Sequence, residues 1–269
     1  MSKAKQAADF RQRHSGATPL ILPNAWDACS AALVQQLGAE AIATTSAGVA
    51  WALGYPDGNA VPIDLHAACV RQIARVVTCP VSVDVEGGYS DDPQQAADNI
   101  MRLVDAGAVG INIEDGHSSP DLLCRKIEAV KAAAARSGID VFVNARTDVF
   151  LKNLAPDRSV EETLRRAVQY AAAGADGLFA PAVKNRDDIA ALVTGQHLPL
   201  NVMAIPGLLP LNDLSSLGVR RLSAGSAIAQ KVWGIVHATA AQFLSNGSTN
   251  SLFADASSFA KINAAFSKN

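Results

Sequence analysis

The chain has 269 residues, of which 49% are hydrophobic and 18% are charged, and its formal net charge is −2. This charge gives no reason to expect nucleic acid or an anionic membrane surface as a partner, and no window approaches the ~20 apolar residues of a membrane span. We therefore expect a protein that acts on a small molecule.

The four cysteines are scattered, with no paired motif and no histidine at zinc-finger spacing, so we expect reduced thiols, most of them buried. They are Cys29, Cys69, Cys79 and Cys124. The N-terminal segment leads into a charged, helical stretch at 8–13 and contains no apolar run of the signal-peptide kind. We expect the protein in the cytoplasm.

Short β-type runs alternate with helix-compatible stretches along the chain. The first strand is predicted at 20–23, and the segment 24–27 offers a turn and an N-cap for a helix that reaches Leu37. In four places a glycine ends a helix a few residues before a buried strand: Gly38, Gly107, Gly174 and Gly218. Further strands are predicted at 41–45, 80–86, 109–114, 141–146 and 199–203 and after Gly174 and Gly218, which brings the count to eight.

The stretches between these strands have helix signals of their own. Asp92 with Pro93 opens one helix, and Ser159 with Glu162 predicts a capping box at the start of another. Strands joined by helical crossovers run parallel. Eight strand and helix units favour a closed (β/α)8 TIM barrel in the α/β class, with an open doubly wound sheet as the alternative.

The C-terminal part of the chain changes character after the barrel, which is predicted to span 1–244. Residues 245–251 are polar and predict a linker. Beyond it, residues 252–269 predict a helix with one apolar stripe: Leu252, Phe253, Phe259, Ile262 and Phe266. We expect this helix to pack either on its own barrel or on a neighbouring subunit.

Ionisable side chains are concentrated at the ends of three predicted strands. Because side chains alternate between faces with a period of two, each end presents its polar residues on one face: Asp84 and Glu86, Asn112 and Glu114, and Asn144 and Arg146. Barrel enzymes carry their chemistry at this edge. One interpretation is a set of buried salt bridges. Three acids against one arginine leave negative charge unbalanced, so we favour Mg²⁺ holding an anionic ligand.

Other candidates lie on the same edge. Small residues at Ser46, Ala47 and Gly48 predict backbone N–H groups that bind an anion, while Asp57 either shapes a turn or faces the acids. His117 follows a strand end closely enough to reach the site. The remaining histidines, His14, His66, His197 and His237, are expected on helix or loop surfaces. No nucleophile elbow, P-loop or HExxH motif is present, which disfavours serine catalysis and nucleotide binding.

With these residues identified, the chain resembles the isocitrate lyase and phosphoenolpyruvate mutase superfamily over nearly its whole length. The resemblance depends on the order and spacing of seven segments: 22–28, 45–48, 54–58, 83–89, 112–115, 144–148 and 174–177. It implies a (β/α)8 barrel whose C-terminal helices are exchanged between subunits of a homodimer or homotetramer. It also implies a Mg²⁺ cofactor, with Mn²⁺ as an alternative.

The resemblance also implies a role for each site residue. Asp84 matches the main metal carboxylate, and Glu86 and Glu114 match acids that hold the metal largely through water. Asp57 matches a further acid near the metal. Arg146 matches the arginine on the substrate oxygen, and residues 46–48 match the amides that hold the substrate carboxylate. As catalytic residues we therefore predict Arg146, Glu114 and Asp57.

One segment departs from the family pattern. After Glu114 and Asp115 the lyase branch carries a Lys-Lys/Arg-Cys-Gly-His motif, whereas residues 116–124 here lack it, and Cys124 is expected only to begin a helix. Isocitrate or methylisocitrate cleavage is therefore disfavoured. The leading hypothesis is a Mg²⁺-dependent lyase or decarboxylase that acts on a small α-oxo or 2-hydroxy dicarboxylic acid through an enolate. The alternatives are phosphonopyruvate hydrolase or phosphoenolpyruvate mutase chemistry, and a non-catalytic oxo-acid-binding homologue.

Overall fold

A computed structural model describes residues 2–266 of the chain. Nine strands form a single sheet in which all neighbours run parallel. The strands are β1 (Leu20–Leu22), β2 (Asn24–Ala25), β3 (Ile42–Thr44), β4 (Val81–Asp84), β5 (Gly110–Glu114), β6 (Phe142–Arg146), β7 (Gly177–Phe179), β8 (Leu200–Met203) and β9 (Arg221–Ser223).

The order of the strands shows how the sheet closes. It runs β1-β9-β8-β7-β6-β5-β4-β3-β2, with Leu20 of β1 opposite Arg221 and Asn24 of β2 opposite Ala43. Only Pro23 separates β1 from β2, and a proline has no N–H for the ladder. The two pieces therefore act as one barrel strand that lies between β3 and β9. This confirms the (β/α)8 TIM barrel, and the alternative of an open doubly wound sheet is wrong.

Helices separate the strands and cover the barrel. They are α1 (Lys3–Gln12), α2 (Ala28–Gln36), α3 (Ser46–Ala52), α4 (Ile63–Val76), α5 (Pro93–Ala106), α6 (Pro120–Arg136), α7 (Ser159–Ala172), α8 (Arg186–Thr194), α9 (Leu211–Leu217), α10 (Ala227–Asn246), α11 (Asn250–Phe253) and α12 (Phe259–Ala264). The Asp27 side chain caps α2, and Asp92 caps α5 with Pro93 in its first turn. Both N-caps predicted from the sequence are confirmed.

The capping box predicted at Ser159 and Glu162 is wrong. Helix α7 begins at Ser159 itself, and the Ser159 hydroxyl donates to the Ala155 carbonyl at 2.9 Å. Glu162 is held by two arginines on its own helix, with 2.7 Å contacts to Arg165 and Arg166. Glu162 therefore forms ion pairs with the following turn instead of the reciprocal hydrogen bonds of a capping box.

Helix α1 closes the end of the barrel opposite the strand termini that carry the acids. Phe10 is fully buried and meets the Phe142 ring edge to face at 5.4 Å, while His14 stacks on that ring at 4.2 Å. A Cβ at Gly110 would lie 2.5 Å from Phe10, so glycine leaves room for this ring. His14 and also His66 of α4 are buried, which corrects the expectation that both lie on the surface.

The C-terminal segment differs from the predicted linker and single helix. Residues 245–246 end α10 and residues 250–251 begin α11, so the non-helical connection is 247–249. Phe266 packs against the barrel core, whereas Phe253 and Phe259 stay exposed. The last residues of the predicted helix, 267–269, lie outside the described part of the chain.

Two further expectations concern membranes and thiols. Within residues 2–266, every helix is too short or too polar to cross a membrane. The four cysteines are free, as predicted. Cys29 is exposed and the other three are partly buried, so the expectation that most are buried is too strong.

We predict that Phe10→Ala lowers the free energy of unfolding by about 3–5 kcal/mol, because it leaves a cavity beneath the barrel. Urea unfolding followed by circular dichroism measures this change. Leu37→Ala, at a site that is 79% exposed, serves as the control and should change stability by less than about 1 kcal/mol. Equal effects of the two substitutions would show that α1 does not close the barrel.

Candidate active site

The strand register brings the predicted polar residues to one end of the barrel, on two adjacent levels. Asp84 of β4 lies opposite Asn112 of β5, and Glu114 of β5 lies opposite Arg146 of β6. Because parallel strands end at the same edge, these side chains face one opening at the carboxyl ends of the strands. The structure therefore brings Asp84, Glu114 and Arg146 together.

Arg146 occupies the centre of this group. Its Nη1 atom lies 2.7 Å from Glu114 Oε2, its Nε donates to Asp148 Oδ1 at 2.7 Å, and its guanidinium lies over the Phe179 ring at 5.8 Å. Burial alone lowers the pKa of Arg146, but the charges of Glu114 and Asp148 raise it above its ordinary value. A guanidinium has five N–H groups. With two of them used, three can still donate to a ligand.

Asp84 is buried and accepts hydrogen bonds from backbone groups. Its Oδ1 accepts from the Glu86 N–H at 3.2 Å and its Oδ2 from the Ser46 N–H at 3.5 Å, while its own N–H donates to Thr44 Oγ1 at 2.9 Å. Burial raises the pKa of this carboxyl, and the positive charge of Arg146 opposes the rise. Both oxygens are aimed by fixed main-chain donors.

Glu86 belongs to a pair of linked loops. The Asn59 N–H donates to its carboxylate, and Asn59 Oδ1 accepts from the N–H groups of Gly87 and Tyr89 at 3.2 and 3.3 Å. Glu86, Tyr89 and Asn59 all have positive φ, at 49°, 60° and 58°. Such backbone is costly outside glycine and collects at functional sites. Three such residues on one rim mark it as a site independently of its charges.

Asp57 precedes this pair of loops and is exposed. Its negative charge raises the pKa values of Asp84 and Glu86, so it lies on the same side of the barrel as the predicted acids. Burial is the larger cause of both shifts. A catalytic role for Asp57 stays a prediction.

The predicted anion-binding residues form the first turn of α3. The helix begins at Ser46, and the first N–H groups of a helix have no partner within it. A Cβ at Gly48 would lie 2.8 Å from Trp26 Cβ and 2.7 Å from Thr45 Cγ2, so only glycine fits. Ser46, and with it the turn that contains Ala47, faces Asp84.

The predicted metal ligands do not form a closed set of three. Among residues 2–266, no three His, Cys, Asp or Glu side chains converge into a metal cluster. The reason is that Glu86 is held by Asn59 and Glu114 by Arg146, whereas Asp84 accepts only backbone N–H groups. Mg²⁺ keeps several waters and takes one or two carboxylates directly. The donor atoms present are all oxygens, the type that Mg²⁺ prefers, and a metal role for Asp84 stays a prediction.

Two buried acids that support the rim escaped the sequence interpretation. Asp115 accepts from Arg166 Nη1 at 2.7 Å, from the Tyr170 hydroxyl at 2.6 Å and from the Asp148 N–H at 2.9 Å. Asp148 in turn binds Arg146. These contacts join β5, β6 and α7 behind the site. Both acids follow a strand end and end two of the segments that carry the resemblance, 112–115 and 144–148, but neither was given a role.

A cavity of about 380 Å³ opens beside Glu114. It is lined by residues from four loops and from α6, among them Tyr89, the exposed His117, Lys126 of α6 and Lys152. Cys124 does not line it, lies within α6, and has its pKa raised by burial and by nearby acids. Its surroundings therefore disfavour the thiolate form of Cys124.

The geometry defines a barrel protein with an acidic, arginine-centred site at the carboxyl ends of its strands. A family model described as phosphoenolpyruvate phosphomutase matches residues 10–244. An uncharacterised protein of Mycobacterium tuberculosis (strain H37Rv) is 40% identical over 221 residues, 81% of each chain. A protein of Burkholderia cenocepacia J2315 with a known crystal structure is 38% identical in sequence to this chain. The two structures match with a TM-score of 0.84 over 90% of this chain and 99% of that one. The chain belongs to the phosphoenolpyruvate mutase family.

More distant relatives extend to the wider isocitrate lyase and phosphoenolpyruvate mutase superfamily. An oxaloacetate decarboxylase of Rhodopseudomonas palustris (strain CGA009) is 32% identical over 184 residues, which are 63% of this chain and 60% of that protein. A phosphonopyruvate hydrolase crystallised with oxalate and Mg²⁺ shares the fold, with a TM-score of 0.83 at 24% identity over 98% of this chain and 95% of that one. The homologues are lyases and related enzymes.

We predict that Glu86→Gln stabilises the metal-free protein at pH 7. Burial raises the pKa of Glu86, so the folded state retains its proton where the unfolded chain has lost it, and stability falls as pH rises above the unfolded pKa of about 4.3. Glutamine still accepts from the Asn59 N–H but carries no charge. The free energy of unfolding should rise by about 0.5–2 kcal/mol at pH 7, a common size for such gains.

The measurement is urea unfolding of both proteins at several pH values in the presence of a chelator. The gain should vanish below about pH 4, where the carboxyl is protonated in both states. Glu128→Gln, on an exposed part of α6, is the matched control and should show no pH-dependent gain. A variant that is less stable than the wild type at pH 7 would contradict the argument.

Proposed function

We propose that this protein is a Mg²⁺-dependent lyase or decarboxylase of small α-oxo or 2-hydroxy dicarboxylic acids that acts through an enolate. The observation that carries the proposal is the group formed by Arg146, Glu114 and Asp84 at the carboxyl ends of β4, β5 and β6. Arg146 has N–H groups left to donate, and the Asp84 carboxylate is suited to a metal ion. Together they would stabilise a substrate oxygen on which negative charge develops.

In the proposed reaction of an oxo acid the bond between C3 and the departing carbon breaks, and that carbon leaves as CO₂ or as a carbonyl compound. The bonding electrons form the enolate across C2 and C3, and a proton from solvent then adds to C3. Arg146 donates N–H groups to the oxygen that gains the charge, and Glu114 with Asp148 fixes the plane of the guanidinium. The N–H groups of the first turn of α3 hold the substrate carboxylate. Bound Mg²⁺, held by Asp84 directly and by Glu86 and Glu114 through water, would supply positive charge beside the same oxygen.

A Mg²⁺-supplemented screen of four- to six-carbon oxo and hydroxy acids, read as release of pyruvate or another oxo acid, tests this proposal. Release of phosphate from phosphonopyruvate, assayed in parallel, would instead support carbon–phosphorus chemistry. Mg²⁺-dependent oxalate binding without any turnover would instead favour a non-catalytic binder of oxo acids.

We predict that Arg146→Lys lowers kcat/KM on the substrate found by this screen by about 10²–10³-fold, the usual loss for a donor to a developing oxyanion. Lysine retains a charge beside Glu114 and Asp148, so the fold should survive, but it cannot reproduce the planar fork. Steady-state kinetics measure the change. Arg158→Lys, at an exposed site, is the control and should leave kcat/KM within twofold of the wild-type value. Unchanged turnover in Arg146→Lys would contradict the mechanism.

We also propose that the chain forms a homo-oligomer, a dimer or tetramer, through α10. Of the twenty residues of this helix only Ala229 is buried, and large apolar side chains such as Trp233 and Val236 are 69% and 60% exposed. A helix that is apolar on most sides belongs in a protein interior. Trp233 also lines an apolar pocket with Trp51 and Tyr55, beside the α3 turn.

We predict that the wild-type protein elutes as a dimer or tetramer in light-scattering chromatography, and that Trp233→Glu shifts it toward the monomer. The reason is that a charge cannot be buried in an apolar interface without a partner. Arg158→Glu, on the barrel surface away from α10, should leave the mass unchanged. A monomeric wild-type protein at micromolar concentration would rule out this assembly.

A further inference from the structure

The cavity beside Glu114 extends the candidate site away from Asp84, and its wall carries two lysines. Lys126 has a structural role, because its Nζ donates to the Gly87 carbonyl at 2.8 Å and its side chain is only 6% exposed. Lys152 is more accessible, with 30% of its side chain exposed. It follows β6 in the loop that also contains Asp148.

The ammonium of Lys152 is near Asp148 but is not fixed by it. The Lys152 Nζ lies 3.2 Å from Asp148 Oδ2, yet that oxygen has no aligned hydrogen-bond donor among the described residues. On its other side the ammonium approaches the loop after β5, within 3.4 Å of where a Cβ on Gly116 would stand. An ammonium group has three N–H donors. This one faces the cavity with donors to spare.

One carboxylate connects Lys152 to the centre of the site. Asp148 binds Arg146 through Oδ1 and contacts Lys152 through Oδ2, so the two cations stand on opposite oxygens of the same group. A small molecule whose oxo or hydroxyl oxygen lies on Arg146 would therefore extend its far end past Glu114 toward Lys152. Glu114, which pairs with Arg146, and Lys152 both line the cavity.

The loop after β5 cannot supply that cation itself. Residues 116–119 read Gly-His-Ser-Ser, with the exposed His117 as their only titratable side chain. None of these four residues is a lysine or an arginine. A second anionic group in the cavity would thus be neutralised from the neighbouring loop.

We propose that Lys152 determines the specificity of this site by binding the second carboxylate of a short dicarboxylic acid. This inference rests on the proposed function and assigns the residue that recognises the far end of its substrate: the acid has one carboxylate and an oxo or hydroxyl oxygen at the Arg146 end and a further carboxylate at the Lys152 end. Monocarboxylic acids of the same length lack the group that Lys152 binds.

Three probes in titration calorimetry with Mg²⁺ test the inference. Malate carries both carboxylates, 2-hydroxybutyrate has the same four carbons without the second one, and oxalate fills only the Arg146 end. Lys152→Met retains the length of the side chain without its charge. We expect it to weaken malate binding at least tenfold, as loss of a charged hydrogen bond does, and to leave oxalate and 2-hydroxybutyrate affinities within twofold.

Two further variants make the result specific to the charge at this position. Lys152→Arg should retain malate binding within about threefold of the wild-type affinity, since the cation remains. Lys5→Met, on α1 at the opposite end of the barrel, should change none of the affinities. Unchanged oxalate affinity in Lys152→Met also shows that the site is still folded.

The outcomes separate this inference from the proposed function. If oxalate binds and Lys152→Met does not weaken malate, the role of Lys152 is wrong while the proposed function stands. If the variant weakens phosphonopyruvate but not malate, the second anion is a phosphonate and the dicarboxylate assignment is wrong. If the wild-type protein with Mg²⁺ binds none of the probes, the proposed function falls and the role of Lys152 falls with it.

Discussion

The ion pair between Arg146 and Glu114 organises the candidate site. It exists because β5 and β6 are parallel and in a register that sets the two residues opposite each other at the ends of their strands, with 2.7 Å between the charged groups. A buried pair of this kind contributes little net stability, since desolvation offsets the attraction. Its effect is positional: it directs the guanidinium into the opening where Asp84 accepts hydrogen bonds from main-chain N–H groups.

The interior beneath this pair is also unusually polar for a barrel core. Arg221 of β9 is fully buried, and its Nη2 donates to Asn112 Oδ1 at 3.1 Å, an oxygen that also accepts from Asn144 at 2.8 Å. The other guanidinium nitrogens of Arg221 have no hydrogen-bond partner among the described residues, and burial lowers its pKa to about 9. A core selected for stability alone would hold aliphatic side chains here. The barrel centre is therefore less stable than an aliphatic core would be, and it places polar groups below the site.

The features that followed from the sequence were those encoded over a few neighbouring residues. Alternation with a period of two located β4, β5 and β6 and put Asp84, Glu114 and Arg146 on one face. Contacts between distant segments could not be read in this way. Asn59 holds Glu86 across 27 positions, and Asp115 meets Arg166 across 51. The buried histidines illustrate the same limit, because their burial depends on which surfaces α1 and α4 cover.

The prediction for the C-terminal region was wrong for a different reason. Polar residues near 245–251 resemble a linker, but α10 continues through the first of them because a long helix tolerates a polar end when its preceding turns are well formed. The apolar stripe predicted from the sequence lies on the final helix, within 252–269. The larger apolar surface belongs to α10, where apolar residues occur on every side and so produce no amphipathic pattern.

Assembly and site are linked through one point of contact. A Cβ built on Gly48 would lie 3.4 Å from the Cβ of Ala229, so the first turn of α10 rests on the α3 turn in which the Ser46 N–H donates to Asp84. Further along α10, Trp233 and Trp51 border the same apolar pockets. Under the proposed assembly, a neighbouring subunit that covered α10 would restrict α3 as well, because Trp233 of α10 and Trp51 of α3 line the same pockets. Covering α10 would then also fix the N–H groups that are proposed to hold the substrate carboxylate, and this would couple the proposed oligomer to the proposed anion site.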